Sequence, residues 1–321
     1  MVSDTQAGTE PANAPPSHPA GATAANSPRQ APQTDNHDMA GAELDWTYVI
    51  RPRTGWFELH LSELWRYRDL TALFAWRDFV ATYKQTILGP IWYIVQPLFT
   101  ALLFTIVFGH IAALSTDGTP QVLFYLAGVT NWAYFSDCMI RTSTTFVANA
   151  NIFGKVYFPR LCVPISVVIS NLARFVTQFL VFIAFLTYFL IRGADVHPNA
   201  WLLVAPLLVI LQAALGLGCG IIVSASTTRY RDFQQLVNFG APLVMYACPV
   251  IYPLSIVPSR YRWLILANPM TPIIEMFRLG FLGHSSLAPI YLLSSAASTL
   301  MILLVGVLLF NRVERTFMDT V

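Results

Sequence analysis

The stretch 161-LCVPISVVISNLARFVTQFLVFIAFLTYFL-190 carries one charged side chain, Arg174, in thirty residues. A bilayer crossing takes about 20 consecutive apolar residues. This run exceeds that and holds no turn signal, so it reads as a transmembrane helix. Similar runs recur on both sides of it. Helices are expected near 88–112, 122–141, 161–190, 200–225, 237–257 and 287–310, which makes six spans. Several are longer than the hydrocarbon layer needs, and tilt or projecting ends absorb the excess. Pro97 and Pro242 mark kinks or boundaries.

Composition agrees with that reading. Hydrophobic residues make up 55% of the 321-residue chain and charged residues 11%, against roughly 25% charged in soluble domains. Mean hydropathy is +0.55. The net charge of +2 is too small for a nucleic-acid binder. Cys138, Cys162, Cys219 and Cys248 form no CxxC pair and lie in or beside apolar runs, where they read as small buried hydrophobes. The six histidines show no HxxxH or HExxH spacing, so no metal site is expected.

Residues 1–45 are a different material. Pro11, Pro15, Pro16, Pro19, Pro28 and Pro32 sit among Ala, Thr, Asn and Ser, with no apolar run. Such a segment buries nothing that offsets its chain entropy, and it reads as a disordered tail. It lacks the basic start and hydrophobic run of a signal peptide. Residues 46–87 form a second region. There Leu73, Trp76, Val80, Tyr83 and Ile87 recur at spacings of three and four, with Arg77, Asp78 and Lys84 off that stripe. An amphipathic helix of this kind lies along a membrane surface or packs on a partner; its position just before a long apolar run favours the surface. The transmembrane region is placed at 88–311 and a short C-terminus at 312–321.

Charge orients the chain. With the N-terminus inside, thirteen Lys and Arg fall on the cytoplasmic side, among them Arg66, Arg68, Arg77, Arg141, Lys155, Arg160, Arg229 and Arg231. Four fall outside: Arg192, Arg260, Arg262 and Arg278. The positive-inside rule therefore puts both termini in the cytoplasm. Residues 258–286 hold apolar groups too short to cross, interrupted at Asn268-Pro269 and Thr271-Pro272. They read as short helices dipping into the outer face. Irregular backbone is tolerated at depth only where protein or a water-filled cavity satisfies it.

From about residue 48 onward the chain resembles the permease subunits of polysaccharide-exporting ABC transporters of the ABC-2 type, which export O-antigen, capsule and teichoic acid. The resemblance rests on the order of ELWRYRDL at 63–70, WRDF at 76–79, YKQTILGPIWYIVQPL at 83–98, RYRDF at 229–233 and NPMTPIIEMFR at 268–278. It implies an all-α, ABC-2 (type V exporter-like) fold: six spans, an N-terminal interface helix and a re-entrant extracytoplasmic segment. It implies a homodimer in the inner membrane, served by a separate ATPase subunit that binds ATP and Mg. The substrate would be a polysaccharide on a polyprenyl-pyrophosphate or comparable lipid. ATPase coupling would fall to the interface helix, with Arg66, Arg68 and Asp69, and to residues 228–239, with Arg229, Arg231 and Asp232.

The chain holds no GxxxxGK[ST] loop to cradle phosphates, no GxSxG and no paired carboxylates within its spans. It is expected to be no enzyme and to hold no cofactor of its own. An ion-coupled secondary transporter is the main rival; such proteins keep ionisable groups at mid-membrane, and only Arg174 stands clearly inside a span. An ABC-2 exporter of a drug or lipid is the nearer one. Three cations flank the second-to-third connection, Arg141, Lys155 and Arg160; they suit a pyrophosphate headgroup or simple retention on the inner side. Tyr246, Trp132 and Tyr134 are candidate conduit residues, since aromatic faces stack on sugars while their polar tips hydrogen-bond. Trp92 and Tyr125 suit interfacial anchors better. Arg174 either lines the conduit or forms a salt bridge, with Asp137 as the candidate partner.

Overall fold

The computed structural model describes residues 61–84, 89–153, 155–156, 158–227 and 232–317. Among them every regular element is helical. The expectations for the tail at 1–45, and those for Arg229 and Arg231, lie outside the described residues.

The N-terminal helix is two pieces, α1 (Leu61–Arg66) and α2 (Arg68–Tyr83), divided at Tyr67. Leu64, Tyr67, Leu70 and Phe74 face the protein and join a cluster built on Phe146, Phe153, Phe158, Cys162, Val163, Ile221 and Phe310. Of the stripe read from the sequence, Leu73, Trp76 and Val80 turn away from that cluster, while Ile87 and the Tyr83 side chain lie outside what the structure describes. Leu73 and Trp76 are 61% and 64% exposed, and Val80 is exposed too. That pattern leaves an aromatic-aliphatic face free of protein, as a surface-lying helix needs.

Four helices are long and apolar enough to cross a membrane. They are α3 (Trp92–Phe104) with the π-helical turn Thr105–Ile111 that extends it, α7 (Cys162–Ile191), α8 (Ala205–Thr227) with its preceding 3-10 turn, and α12 (Tyr291–Phe317) as far as Val313. The expected second and fifth spans differ from these. The helix α4 (Gln121–Ser143) is 23 residues long but polar for a span. Fifteen of its residues are buried, so protein rather than lipid selects its composition. After α4 come two single turns, α5 (Thr145–Ala148) and α6 (Ala150–Phe153). The helix α9 (Asp232–Tyr246) continues through Pro242 but stops eleven residues short of the expected 257. Pro249 lacks an N–H and drives the residue before it out of helical geometry. At 15 residues, α9 is about 22 Å long, against a hydrocarbon layer of about 30 Å.

The segment after α9 holds two short helices, as read from the sequence: α10 (Ser259–Leu266) and α11 (Met270–Leu282). Asn268-Pro269 separates them. Pro272 does not interrupt α11, because it sits in the first turn, where no intrahelical donor is lost. Twelve of the thirteen α11 residues are buried. Phe277 and Phe281 pack edge-on or tilted against Phe179 and Phe182 of α7 with ring centroids 5.3–6.2 Å apart.

Close helix approach comes from glycine. A Cβ on Gly216 would lie 2.7 Å from Cβ of Cys138, and one on Gly220 would lie 2.5 Å from Cβ of Thr142. These two glycines, four apart, let α8 meet α4 backbone to backbone, the small-xxx-small geometry of membrane helices. Gly218, on the other face, meets Leu303 and Gly306 of α12. Replacing Gly220 with Val should therefore force α4 and α8 apart, costing about 1–3 kcal/mol. Gly240 has nothing within 4 Å of such a Cβ. Thermal melting followed by size-exclusion chromatography should show a clear loss for Gly220→Val and little change for Gly240→Ala; equal melting points would refute the packing.

Candidate functional site

At the end of the bundle where α2 packs, a cavity of about 450 Å³ opens between α2, the end of α4, α5, α6 and α7. Arg77, Asp78, Arg141, Thr144, Asn149 and Ser170 give it polar walls; Ala148, Ile152 and Val167 give it an apolar one. Thr145 lines it as well. Its side chain is 2% exposed, and its hydroxyl has no hydrogen-bond partner among the described residues. Arg77 donates through Nε and Nη2 to Oδ1 of Asp78 at 2.9 and 2.8 Å. The Thr144 hydroxyl donates to the carbonyl of Arg141 at 2.9 Å, and Asn149 Nδ2 to the carbonyl of Thr145 at 3.0 Å.

Of the three cations read as a headgroup set, the cavity takes only Arg141. Lys155 is exposed to solvent. Arg160 is buried, its guanidinium carbon 5.6 Å from the centroid of the Phe153 ring. Arg77, which the sequence reading assigned to no site, joins Arg141 instead. The signal for it was faint: Arg77 lies off the apolar stripe, but only the fold shows which way the polar face turns.

The residues expected to couple to an ATPase are spread along two elements. Arg66 ends α1. Arg68 lies 3.7 Å from Asp69, both exposed, and its guanidinium stands 5.7 Å from the Trp65 ring. Asp232 opens α9 and is exposed.

The four candidate conduit residues do not converge. Trp132 lines an apolar cleft of about 330 Å³ with Phe135, Met139, Leu236, Gly240 and Val244. Tyr134 is buried on another side of α4, its ring 5.0 Å from Phe175. Tyr246 is exposed at the end of α9. Arg174 is committed to a salt bridge: its Nη1 lies 2.6 Å from Asp137 Oδ2, its Nη2 donates to Gln96 Oε1 at 2.8 Å, and its guanidinium covers the Tyr93 ring at 4.9 Å. The salt-bridge geometry raised from the sequence is the one present. Of the two residues read as interfacial anchors, Trp92 is exposed, whereas Tyr125 is fully buried against Phe104 and Phe124.

Two polar features escaped the sequence reading. Asn131 and Gln212, both fully buried, join α4 to α8 by a 2.7 Å hydrogen bond from Gln212 Nε2 to Asn131 Oδ1. Arg278, counted from the sequence among the outer charges, is 2% exposed. It donates to the carbonyls of Pro249, Val250 and Phe124, lies 3.4 Å from Glu275, and covers the Phe124 ring at 3.6 Å. Its spacing of three from Glu275 inside an apolar run was the available signal.

An all-helical chain with four helices long and apolar enough to cross a membrane is a multi-pass membrane protein. The family profile described as ABC-2 type transporter matches residues 70–282. The chain belongs to the ABC-2 type transporter family. It is 27% identical over 255 residues to the O-antigen export system permease protein RfbA of Klebsiella pneumoniae, covering 78% of this chain and 94% of that one. The O-antigen export system permease protein RfbA of Myxococcus xanthus is 26% identical over 265 residues, with coverage of 81% and 98%. The polysialic acid transport protein KpsM of Escherichia coli is 24% identical over 238 residues, with coverage of 73% and 89%. Permeases of this family carry no ATPase domain and pair with a separate ATPase subunit.

The Arg174–Asp137 bridge gives a direct stability test. Removing one partner of a buried pair costs about 3–5 kcal/mol, and partial exposure puts this pair near the lower end. Arg174→Leu should lower the melting temperature sharply, and adding Asp137→Leu should restore much of it. A single variant as stable as wild type would show that the bridge holds nothing.

Proposed function

We propose that this chain is the membrane-spanning permease of an ATP-driven exporter that carries a lipid-linked polysaccharide of the O-antigen kind across the cytoplasmic membrane. The observation that carries the reading is coverage: relatives named for O-antigen export align over 94% and 98% of their own lengths. A relative named for polysialic acid transport, aligned over 89% of its length, supports the broader substrate class.

In this reading six passes cross the bilayer, with α4 shielded by protein and both termini cytoplasmic. Two copies of the chain enclose the conduit, as two-fold symmetry is the commonest oligomer solution. Two ATPase subunits dock on α1, α2 and residues 228–239, and hold the ATP and Mg. Arg141 receives the pyrophosphate of the carrier, with Lys155 and Arg160 in the same connection; Trp132, Tyr134, Tyr246 and Arg174 serve the path or the helices that frame it.

Three measurements test it. Deleting the gene should trap polysaccharide inside the cell, and the wild-type chain should restore surface polymer; normal surface polymer in the deletion strain would refute the substrate class. Single cysteines at 155 and 197, in a cysteine-free background, should label from outside only at 197. Labelling only at 155 would invert the topology. Reversing Arg229, Arg231 and Asp232 should reduce copurifying ATPase by about tenfold or more, since like charges across an interface cost several kcal/mol. Unchanged ATPase recovery would remove that docking segment.

A further inference from the structure

We propose that the cavity between α2 and α4–α7 binds the phosphate headgroup of a membrane lipid, with Arg77 and Arg141 as its cations. The two guanidiniums come from elements far apart in sequence, so the fold rather than a local motif makes the site. Asp78 occupies the Nε and Nη2 side of Arg77 and leaves Nη1 open to a ligand. The wall then carries one net positive charge from Arg77, Asp78 and Arg141. Guanidiniums suit phosphate oxygens because they present planar, paired donors.

The neutral groups have a matching pattern. A phosphate offers acceptors only, so it needs donors. The Thr144 proton is already given to the Arg141 carbonyl. Ser170 stands on the α7 wall, and Asn149 Nδ2, which gives one proton to the Thr145 carbonyl, has a second to offer.

The cavity also selects for an amphiphile over a free ion. Its volume of about 450 Å³ is in the range of small-molecule pockets. Ala148, Ile152 and Val167 give it an apolar wall. Arg77 belongs to the same helical turns as Leu73, Trp76 and Val80, whose side chains are exposed. A headgroup seated at Arg77 and Arg141 can lay its hydrocarbon chain along that stripe. Bound lipid would then bridge α2 to α4–α7 and make the interface helix part of the binding site. Two lipids share this chemistry, a polyprenyl-pyrophosphate carrier and an anionic phospholipid of the bilayer. Only the carrier source rests on the export reading.

The test is native mass spectrometry of the intact permease, purified in detergent with its copurifying ATPase. The probes are a polyprenyl pyrophosphate, phosphatidylglycerol, and the uncharged polyprenol of matching chain length. A phosphate-bearing probe should be retained at least tenfold better than the polyprenol. Arg77→Gln with Arg141→Gln should abolish that preference, while Arg192→Gln should preserve it. Preference for the pyrophosphate assigns the carrier as ligand; preference for phosphatidylglycerol assigns a bilayer lipid. Equal retention of the polyprenol by the wild-type chain overturns the proposal, as does undiminished preference in the double variant. The wild-type comparison decides alone if the double variant fails to fold. Export is no part of this readout, so a negative result leaves the export reading standing.

Discussion

Arg278 resolves the constraint on which the architecture turns. Inside a membrane protein, backbone carbonyls must be satisfied by the protein itself. Where α9 stops at Tyr246, the carbonyls of Pro249 and Val250 lose helical partners, and the Arg278 guanidinium takes both. The same fork reaches the Phe124 carbonyl at 3.3 Å and lies over that residue's ring. Gly128 makes the room: a Cβ there would sit 2.9 Å from Arg278 Nη2 and from the Val250 carbonyl. Glu275 balances the charge and itself accepts from the Ser285 hydroxyl at 2.9 Å. One side chain thus allows an interrupted helix, a buried short helix and α4 to share one interior.

The helix α4 collects these debts because most of it is enclosed by protein, with fifteen of its 23 residues buried. It presents Gly128 to Arg278, Asn131 to Gln212, Asp137 to Arg174, and Cys138 and Thr142 to the glycines of α8. The Asn131 amide and the Asp137 carboxylate would be costly against hydrocarbon, and each has a protein partner here. Hydrophobicity is therefore a poor guide to this helix. Burial, which a hydropathy profile cannot see, is what makes its sequence tolerable. The long helices α3, α7, α8 and α12 obey the opposite rule, with apolar residues such as Phe99, Leu180, Ile210 and Leu300 left exposed for lipid.

That division explains what was legible in the sequence. The four helices that meet lipid announce themselves through runs like 161–190, because lipid selects composition directly. The short pair at 259–282 was legible through its Asn-Pro break. The end of α9 was not, since Tyr246 is followed by further apolar residues and only Pro249 hints at the stop. The amphipathic stripe of α2 was found, although the residues that dock it on the protein, Tyr67, Leu70 and Phe74, were not. The burial of Arg278 was not legible, because charge counting does not distinguish a solvated cation from an enclosed one. The cavity pairing of Arg77 with Arg141 depends on the rotation of α2 against α7, which no local pattern encodes.

The helix α9 is lightly constrained along its length. Its single buried residue is Ala241, whereas Leu236, Phe239, Leu243 and Tyr246 are exposed. Its ends are held better than its middle. Gln234 Oε1 accepts from the Ser143 hydroxyl at 3.1 Å near the start, and the residues just past its end sit in the Arg278 knot. Local stability follows packing density, so a helix lightly packed along its flank yields there first. What stiffness it has along its length comes from helical hydrogen bonds. The Pro242 ring removes one of those hydrogen bonds, which places the easiest bend between the two anchored ends.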